Sequence, residues 1–170
     1  AEKLPIREDG LFGQAELTSC GLNGGPLAGE GYYPSCIACH LFTDRPVIYV
    51  GDSDKPEYVN GSFPKIVKEG WDGDQNEGYI TNMYDQCTAG FRYFDLSHVS
   101  EITLTIRGYA YGSMEIRTSF EGSAVKTIPL HYSNIWRDIK TEIKLPEGAD
   151  SLYFTYRGPG SASFKGFTLK

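Results

Sequence analysis

The chain has little that could perform chemistry and little that could hold a nucleic acid or a membrane. Three histidines, His40, His98 and His131, are spread over 170 residues. None stands in a GxSxG, HExxH or comparable context, which leaves no recognisable nucleophile or zinc motif. Paired carboxylates for glycoside hydrolysis need a preformed cleft, and the acidic residues here gather mainly in turns. Lys and Arg number 16 against 22 Asp and Glu, a formal net charge of −6. No basic stripe collects, so the phosphate contacts that nucleic acid requires are not supplied. No apolar run is long enough to cross a bilayer. Helical periodicity is missing too: no stretch supports a helix of three turns. There is no internal repeat and no low-complexity block. No leader peptide is visible, and the chain opens on Ala1 rather than Met, as expected of a processed or excised piece.

Turns and aromatic rings are what the chain has in quantity. It holds 20 Gly, 9 Pro, 12 Tyr and 9 Phe, with only 2 Trp and 2 Met. Glycine and proline are scattered rather than blocked into a linker, which suits many short strands. The length fits one domain. Residues 1–10 (AEKLPIREDG) are charged and unpatterned and read as a tether; residues 11–170 read as the folded unit.

Period-two alternation is clearest in the second half. In residues 101–107 (EITLTIR), Ile102, Leu104 and Ile106 share one face and Thr103 and Thr105 the other. Met114, Ile116 and Thr118 repeat the pattern, as do Ile139, Thr141, Ile143 and Leu145, and Leu152, Phe154 and Tyr156. One face of each strand is thus expected to be buried and the other solvated, as in antiparallel sheets. Turn signals separate them at 121–123, 146–148 and 158–160. Further strands are expected at 14–17, 35–42, 47–50, 78–83 and 91–94, with a glycine-rich loop at 21–31. The fold class implied is all-β: an antiparallel β-sandwich of jelly-roll type.

Some local signals look chemical. Cys36-Ile37-Ala38-Cys39-His40 has the CxxCH spacing of haem attachment, but it falls in an expected strand, whose alternation would point the two thiols to opposite faces. With Cys20 and Cys87 a zinc site is one option; buried free thiols, or one disulfide, account for the cysteines more simply. Residues 72–78 (DGDQNEG) look like a calcium loop, yet the glycine falls one position late and Met83 occupies the twelfth position, where a bidentate Glu belongs. A solvated acidic turn is the expectation. Asn60-Gly61-Ser62 is a glycosylation sequon. Sugar rings stack on Tyr and Trp, while their hydroxyls need polar partners, so the aromatic supply is the more informative feature.

Two stretches carry a family resemblance. Residues 17–41 (LTSCGLNGGPLAGEGYYPSCIACHL) resemble the opening of the C-terminal accessory domain of some family 43 glycoside hydrolases, of the β-xylosidase and α-L-arabinofuranosidase type. Residues 78–169 are similar in the same way, through TAGFRYFDL, RGYAYGSMEIRTSFEG, SNIWRDI and LYFTYRGPGSASFKGFTL. The domain resembles family 6 carbohydrate-binding modules, which are jelly-roll sandwiches. The catalytic propeller of family 43 has no counterpart here, so the resemblance implies a non-catalytic accessory module. In family 6 modules a loop-end cleft holds a sugar between a Tyr and a Trp, with an Asn hydrogen-bonding to it. The matching positions are Tyr79 in GYI, Trp136 in SNIWRDI, and Ser163 where the Asn would stand. Serine offers one hydroxyl in place of an amide donor and acceptor, a departure that bears on affinity and sugar preference. Tyr32 and Tyr33 are further candidates for a contact.

The resemblance also implies a structural calcium, with Gln14 and Glu16 as ligands. The expected aspartate in the last strand is replaced by Lys165, whose ammonium repels calcium and could pair with Glu16 instead. No cofactor is therefore expected. The function implied is recognition of xylan, arabinoxylan or a related plant cell-wall polysaccharide on behalf of a linked glycoside hydrolase, in a secreted bacterial system. The alternatives are a structural domain that packs on its parent hydrolase and binds no sugar and, given possible free thiols, a cytoplasmic location. Neither nucleic acid nor a membrane is an expected partner.

Overall fold

The structure, a computed structural model, describes residues 8–9, 25–44, 63–68 and 78–170. The strands expected at 14–17 and 47–50, the acidic turn at 72–77, the sequon, and Gln14, Glu16 and Cys20 lie outside the described residues. So does nearly all of the expected tether.

Among the described residues the chain forms β1 (Gly31–Pro34), β2 (His40–Phe42), β3 (Lys65–Lys68), β4 (Gly78–Met83), β5 (Thr88–Arg92) and β6 (Glu101–Ala110). There follow β7 (Ser113–Arg117), β8 (Lys126–Pro129), β9 (Ser133–Glu142), β10 (Ser151–Arg157) and β11 (Gly160–Leu169). The only helical element described is a single 3-10 turn at Ser35–Ile37. One sheet runs β3-β4-β11-β6-β9, with β1 also paired to β11; the other runs β2-β5-β10-β7-β8. Every pairing between these strands is antiparallel. The result is a β-sandwich, as the alternation implies.

Inward residues of the two sheets make one core. Ile102, Leu104 and Ile106 of β6 and Ala162, Phe164, Phe167 and Leu169 of β11 face Met114 and Ile116 of β7 and Leu152, Phe154 and Tyr156 of β10, all buried. Burial of this kind contributes about 25 cal/mol per Å² of apolar surface. β10 departs from the expected half-solvated pattern: Ser151, Tyr153 and Thr155 are buried as well. It is the central strand of its sheet, and His40 and Phe120 lie across Tyr153 at 6.3 and 6.1 Å between ring centres. The Tyr153 hydroxyl takes a hydrogen bond from Arg92 Nε at 2.9 Å, and Thr155 and Thr88 hydroxyls meet at 2.8 Å.

The strand expected at 35–42 is broken by the 3-10 turn, and the reason is Ser35. Its buried hydroxyl donates to Phe164 O at 2.5 Å and accepts from Ile80 N at 3.0 Å. Ile80 and Phe164 are paired residues of β4 and β11, so one hydroxyl is inserted into the ladder in place of a direct bond. The turn also places two of the cysteines. Cys36 is half-buried and Cys39 exposed, both as free thiols, while Cys87 is buried. The expectation of buried thiols is therefore corrected for Cys39: it precedes β2 in an irregular segment rather than sitting inside a strand. The strand expected at 91–94 begins earlier, at Thr88, and ends at Arg92.

Two predictions follow from this packing. Ser35→Ala leaves a buried N–H and a buried C=O unpaired, and should lower the unfolding free energy by about 1–3 kcal/mol in urea titrations. On the outward side of the second sheet, burial raises the Glu115 pKa, but hydrogen bonds and charge from Arg117 and Arg157 outweigh it and hold the carboxyl below its ordinary value. Such a group stabilises the fold above its unfolded pKa, and the contribution is lost as pH falls through the folded one. Melting temperatures across acid pH should therefore fall more steeply for wild type than for Glu115→Gln, the two curves converging at the lowest pH; parallel curves would refute the assignment.

Candidate functional site

Three interruptions of the hydrogen-bond ladder fall side by side on the first sheet. Between β4 and β11, Met83 faces Ala162 and Ile80 faces Phe164, so β4 carries one extra residue; Asn82 there has a φ of 60°. Between β11 and β6, Phe164 faces Ile106 and Gly166 faces Thr105, which leaves Lys165 unpaired. Between β6 and β9, Ile106 faces Arg137 and Gly108 faces Ser133, so residues 134–136 stand against Arg107 alone. Bulges of this kind bend a strand and re-aim its side chains, and they recur next to binding sites. Buried Ser133 fills the widest gap: its hydroxyl donates to Ile135 O at 2.6 Å and accepts from Ile135 N and Arg137 Nε at 3.3 and 3.1 Å.

The residues singled out in the sequence meet on this face. Tyr79 of β4 and Trp136 of β9 are half-buried and touch edge to face, with ring centres 5.1 Å apart and planes at 77°. Arg107 of β6 joins them. Its guanidinium carbon lies 4.2 Å from the Trp136 ring centre and 5.1 Å from that of Tyr79, and Nη2 donates to the Tyr79 hydroxyl at 3.1 Å. Cation–π contacts of this type contribute about 0.5–2 kcal/mol according to exposure. Ser163 of β11 pairs with Arg107 across the ladder, and its hydroxyl meets that of Thr81 at 3.1 Å. The three predicted positions are thus gathered within strands, on the outward face of a sheet rather than in a loop. The rings touch and Arg107 lies against both, so the cluster leaves no slot between the two rings.

Lys165, the bulged residue, holds its ammonium 5.6 Å from the Trp136 ring centre. A calcium site here would need an anionic oxygen at this position, and an ammonium supplies none, so this part of the donor set does not fit the ion. Tyr33 is a packing residue. Its ring lies 4.9 Å from Phe94 and 5.6 Å from Phe167, and its hydroxyl donates to Ala28 O and Glu30 O. Tyr32 is exposed and donates to Lys165 O at 3.3 Å.

A second aromatic group escaped the sequence reading. Tyr109, near the end of β6, is 66% exposed, Tyr111 in the following turn 61%, and Tyr132 in the β8–β9 loop 45%. Tyr132 lies 5.0 Å from Tyr109 and 6.4 Å from Tyr111 between ring centres, the latter pair with planes only 12° apart. Tyr109 continues the outward phase of Thr103, Thr105 and Arg107, and that phase was the available signal. The proximity of Tyr132, 23 residues later in sequence, was not visible.

Comparisons with known proteins place this geometry in context. No family model matches the chain. It is 46% identical, over 168 residues, to a protein of Thermoclostridium stercorarium described as a xylosidase/arabinosidase, covering 99% of this chain and 35% of that one. The chain thus spans about a third of the length of the curated relative it matches. Among solved structures it resembles a family 6 carbohydrate-binding module of Clostridium stercorarium in complex with cellobiose, at a TM-score of 0.64 and 11% identity, covering 86% of this chain and 98% of that one. It also resembles part of a family 43 arabinoxylan arabinofuranohydrolase of Bacillus subtilis in complex with cellotetraose, at a TM-score of 0.65 and 14% identity, covering 99% of this chain and 33% of that one. The fold is therefore that of the family 6 modules, and the chain corresponds to a separate sandwich within a larger glycoside hydrolase relative. Among the described residues no helix is long and apolar enough to cross a membrane.

Proposed function

We propose that this sandwich is a non-catalytic carbohydrate-binding module that recognises xylan, arabinoxylan or a related plant cell-wall polysaccharide and holds a linked glycoside hydrolase against it. The observation that carries this reading is the convergence of three ladder interruptions on one sheet face bearing Tyr79, Arg107, Trp136 and Ser163. Flat rings supply the stacking surface for pyranose C–H faces, and the paired hydroxyls of Thr81 and Ser163 supply donors and acceptors for sugar hydroxyls. No bond is made or broken. The physical gain is proximity: a tethered module raises the local polymer concentration around the catalytic domain. The setting is extracellular, where such polymers are met, and no cofactor takes part.

A second reading is favoured by one detail. Trp136 is already engaged by Arg107 and Tyr79, which would equally suit a ring that packs the module against its parent hydrolase and contacts no sugar. Affinity electrophoresis separates the two. On native gels containing soluble arabinoxylan, the wild-type chain should be retarded, and Trp136→Ala should lose roughly tenfold in affinity with its melting transition still cooperative. Unretarded wild-type protein across xylan, arabinoxylan and mixed-linkage glucan gels would instead establish the packing role.

A further inference from the structure

Three phenol rings left in water together, at the end of a sandwich whose other large rings are mostly packed, need a reason. Tyr109, Tyr111 and Tyr132 are each more exposed than any other Tyr, Phe or Trp described, and Tyr132 lies against both of the others. Their positions are fixed from beneath. Tyr156, buried in the core, donates its hydroxyl to Pro159 O at 2.5 Å and accepts the Tyr111 N–H at 3.2 Å. Burial pushes the Tyr156 phenol above its ordinary pKa, so it keeps the proton this arrangement uses. Tyr132 stands between two anchors: Leu130, buried, with its N–H bonded to Gly112 O at 2.8 Å, and Ser133, buried and bonded into the β9 bulge. Gly160 admits the backbone of Tyr109, since a Cβ there would lie 1.7 Å from Tyr109 O. The backbone that carries the platform is therefore held in place before anything binds, which lowers the ordering cost of binding.

Polar groups border it. A groove of about 400 Å³ opens beside Tyr132, with His131, Arg137 and Asp138 in its wall together with the apolar Ile106, Leu130 and Ile139. Asp138 already accepts from Thr105 through one carboxylate oxygen at 2.6 Å. Exposed flat rings beside a groove that mixes apolar walls with charged and hydrogen-bonding groups match a ligand with apolar faces and hydroxyl edges. The platform is also continuous with the sheet-face cluster: Tyr109 lies two residues beyond Arg107 on the same face of β6, an advance of roughly 7 Å along a strand.

We infer that Tyr109, Tyr111 and Tyr132 form an additional sugar-stacking platform that extends the sheet-face site along β6, so that the ligand is a run of several pyranose units. The extension rests on the carbohydrate-binding reading above, and the test separates the two. Isothermal titration with xylobiose and xylohexaose is compared for wild type, Trp136→Ala and the double variant Tyr109→Ala/Tyr132→Ala. Wild type should bind the hexaose about tenfold or more tightly than the disaccharide. The tyrosine variant should lose that advantage while its disaccharide affinity stays the same, and Trp136→Ala should weaken both. Equal hexaose affinity in wild type and the tyrosine variant would overturn the platform and leave the sheet-face site standing. Loss confined to the tyrosine variant, with Trp136→Ala unaffected, would keep the platform and remove the sheet-face site. Wild type that binds neither oligosaccharide, nor cellohexaose, would remove both. All three rings of the platform are exposed, so unchanged melting temperatures are the expected control.

Discussion

The contact between β10 and β11 is the one on which the rest of the molecule leans. These strands are consecutive in sequence yet occupy central places in opposite sheets, and the turn between them must cross the sandwich. Phe154 on β10 meets Phe164 and Phe167 on β11, each at 5.0 Å between ring centres, and Phe91 closes on Phe167 at 5.0 Å. All four rings are buried. The turn has Gly158 at φ 120° and Gly160 at φ 85°, a region that any side chain would find strained. Once β11 is seated against these rings, its register toward β4, β6 and β1 is fixed, and with it the face that carries Ser163 and Lys165.

That register is not regular, and its irregularities are stabilised by buried hydroxyls. A bulge leaves backbone donors and acceptors without their ladder partners, which inside a protein costs about as much as a lost hydrogen bond. Ser35 fills the break between β4 and β11, and Ser133 fills the break at the start of β9. Two small polar residues, both buried, thus permit the disrupted ladder to persist, one between β4 and β11 inside the sheet and one at the β9 edge. The consequence reaches the surface: Trp136 emerges from the β9 bulge opposite Arg107, and Tyr79 lies within reach of both.

How much of this was legible in the sequence follows from the physics of each feature. Period-two burial is local, so β6, β7 and the inward set of β10 could be read from Ile102, Leu104, Ile106, Met114, Ile116, Leu152, Phe154 and Tyr156 alone. The outward burial of Tyr153 could not, because it depends on His40 and Phe120, which arrive from distant parts of the chain. The short β1, β3 and β8 carry only four residues each, too few for alternation to register. The juxtaposition of Tyr79, Trp136 and Ser163 was available through resemblance to a known family, and these residues do lie together. Their arrangement was not, since it involves Arg107 of β6, which lies against both rings where they touch. Lys165 had a legible charge but no legible bulge.

Arg107 is also where the two aromatic groups become one surface. It is held at its tip by Tyr79 and Trp136, while its own strand continues past Gly108, at φ 128°, to Tyr109. A side chain on Gly108 would drive its Cβ to 2.6 Å from Ser161 O, so glycine lets β6 and β11 stay in close contact where the strand passes from one cluster to the other. Each cluster alone offers only a few stacking contacts, each worth about 0.5–1.5 kcal/mol beyond area burial. On the proposed reading, binding strength then comes from the number of sugars covered along the strand and from the tether to the hydrolase, not from one deep pocket. A module of that kind can release and rebind along a polymer while its partner works, because no single contact holds it in place.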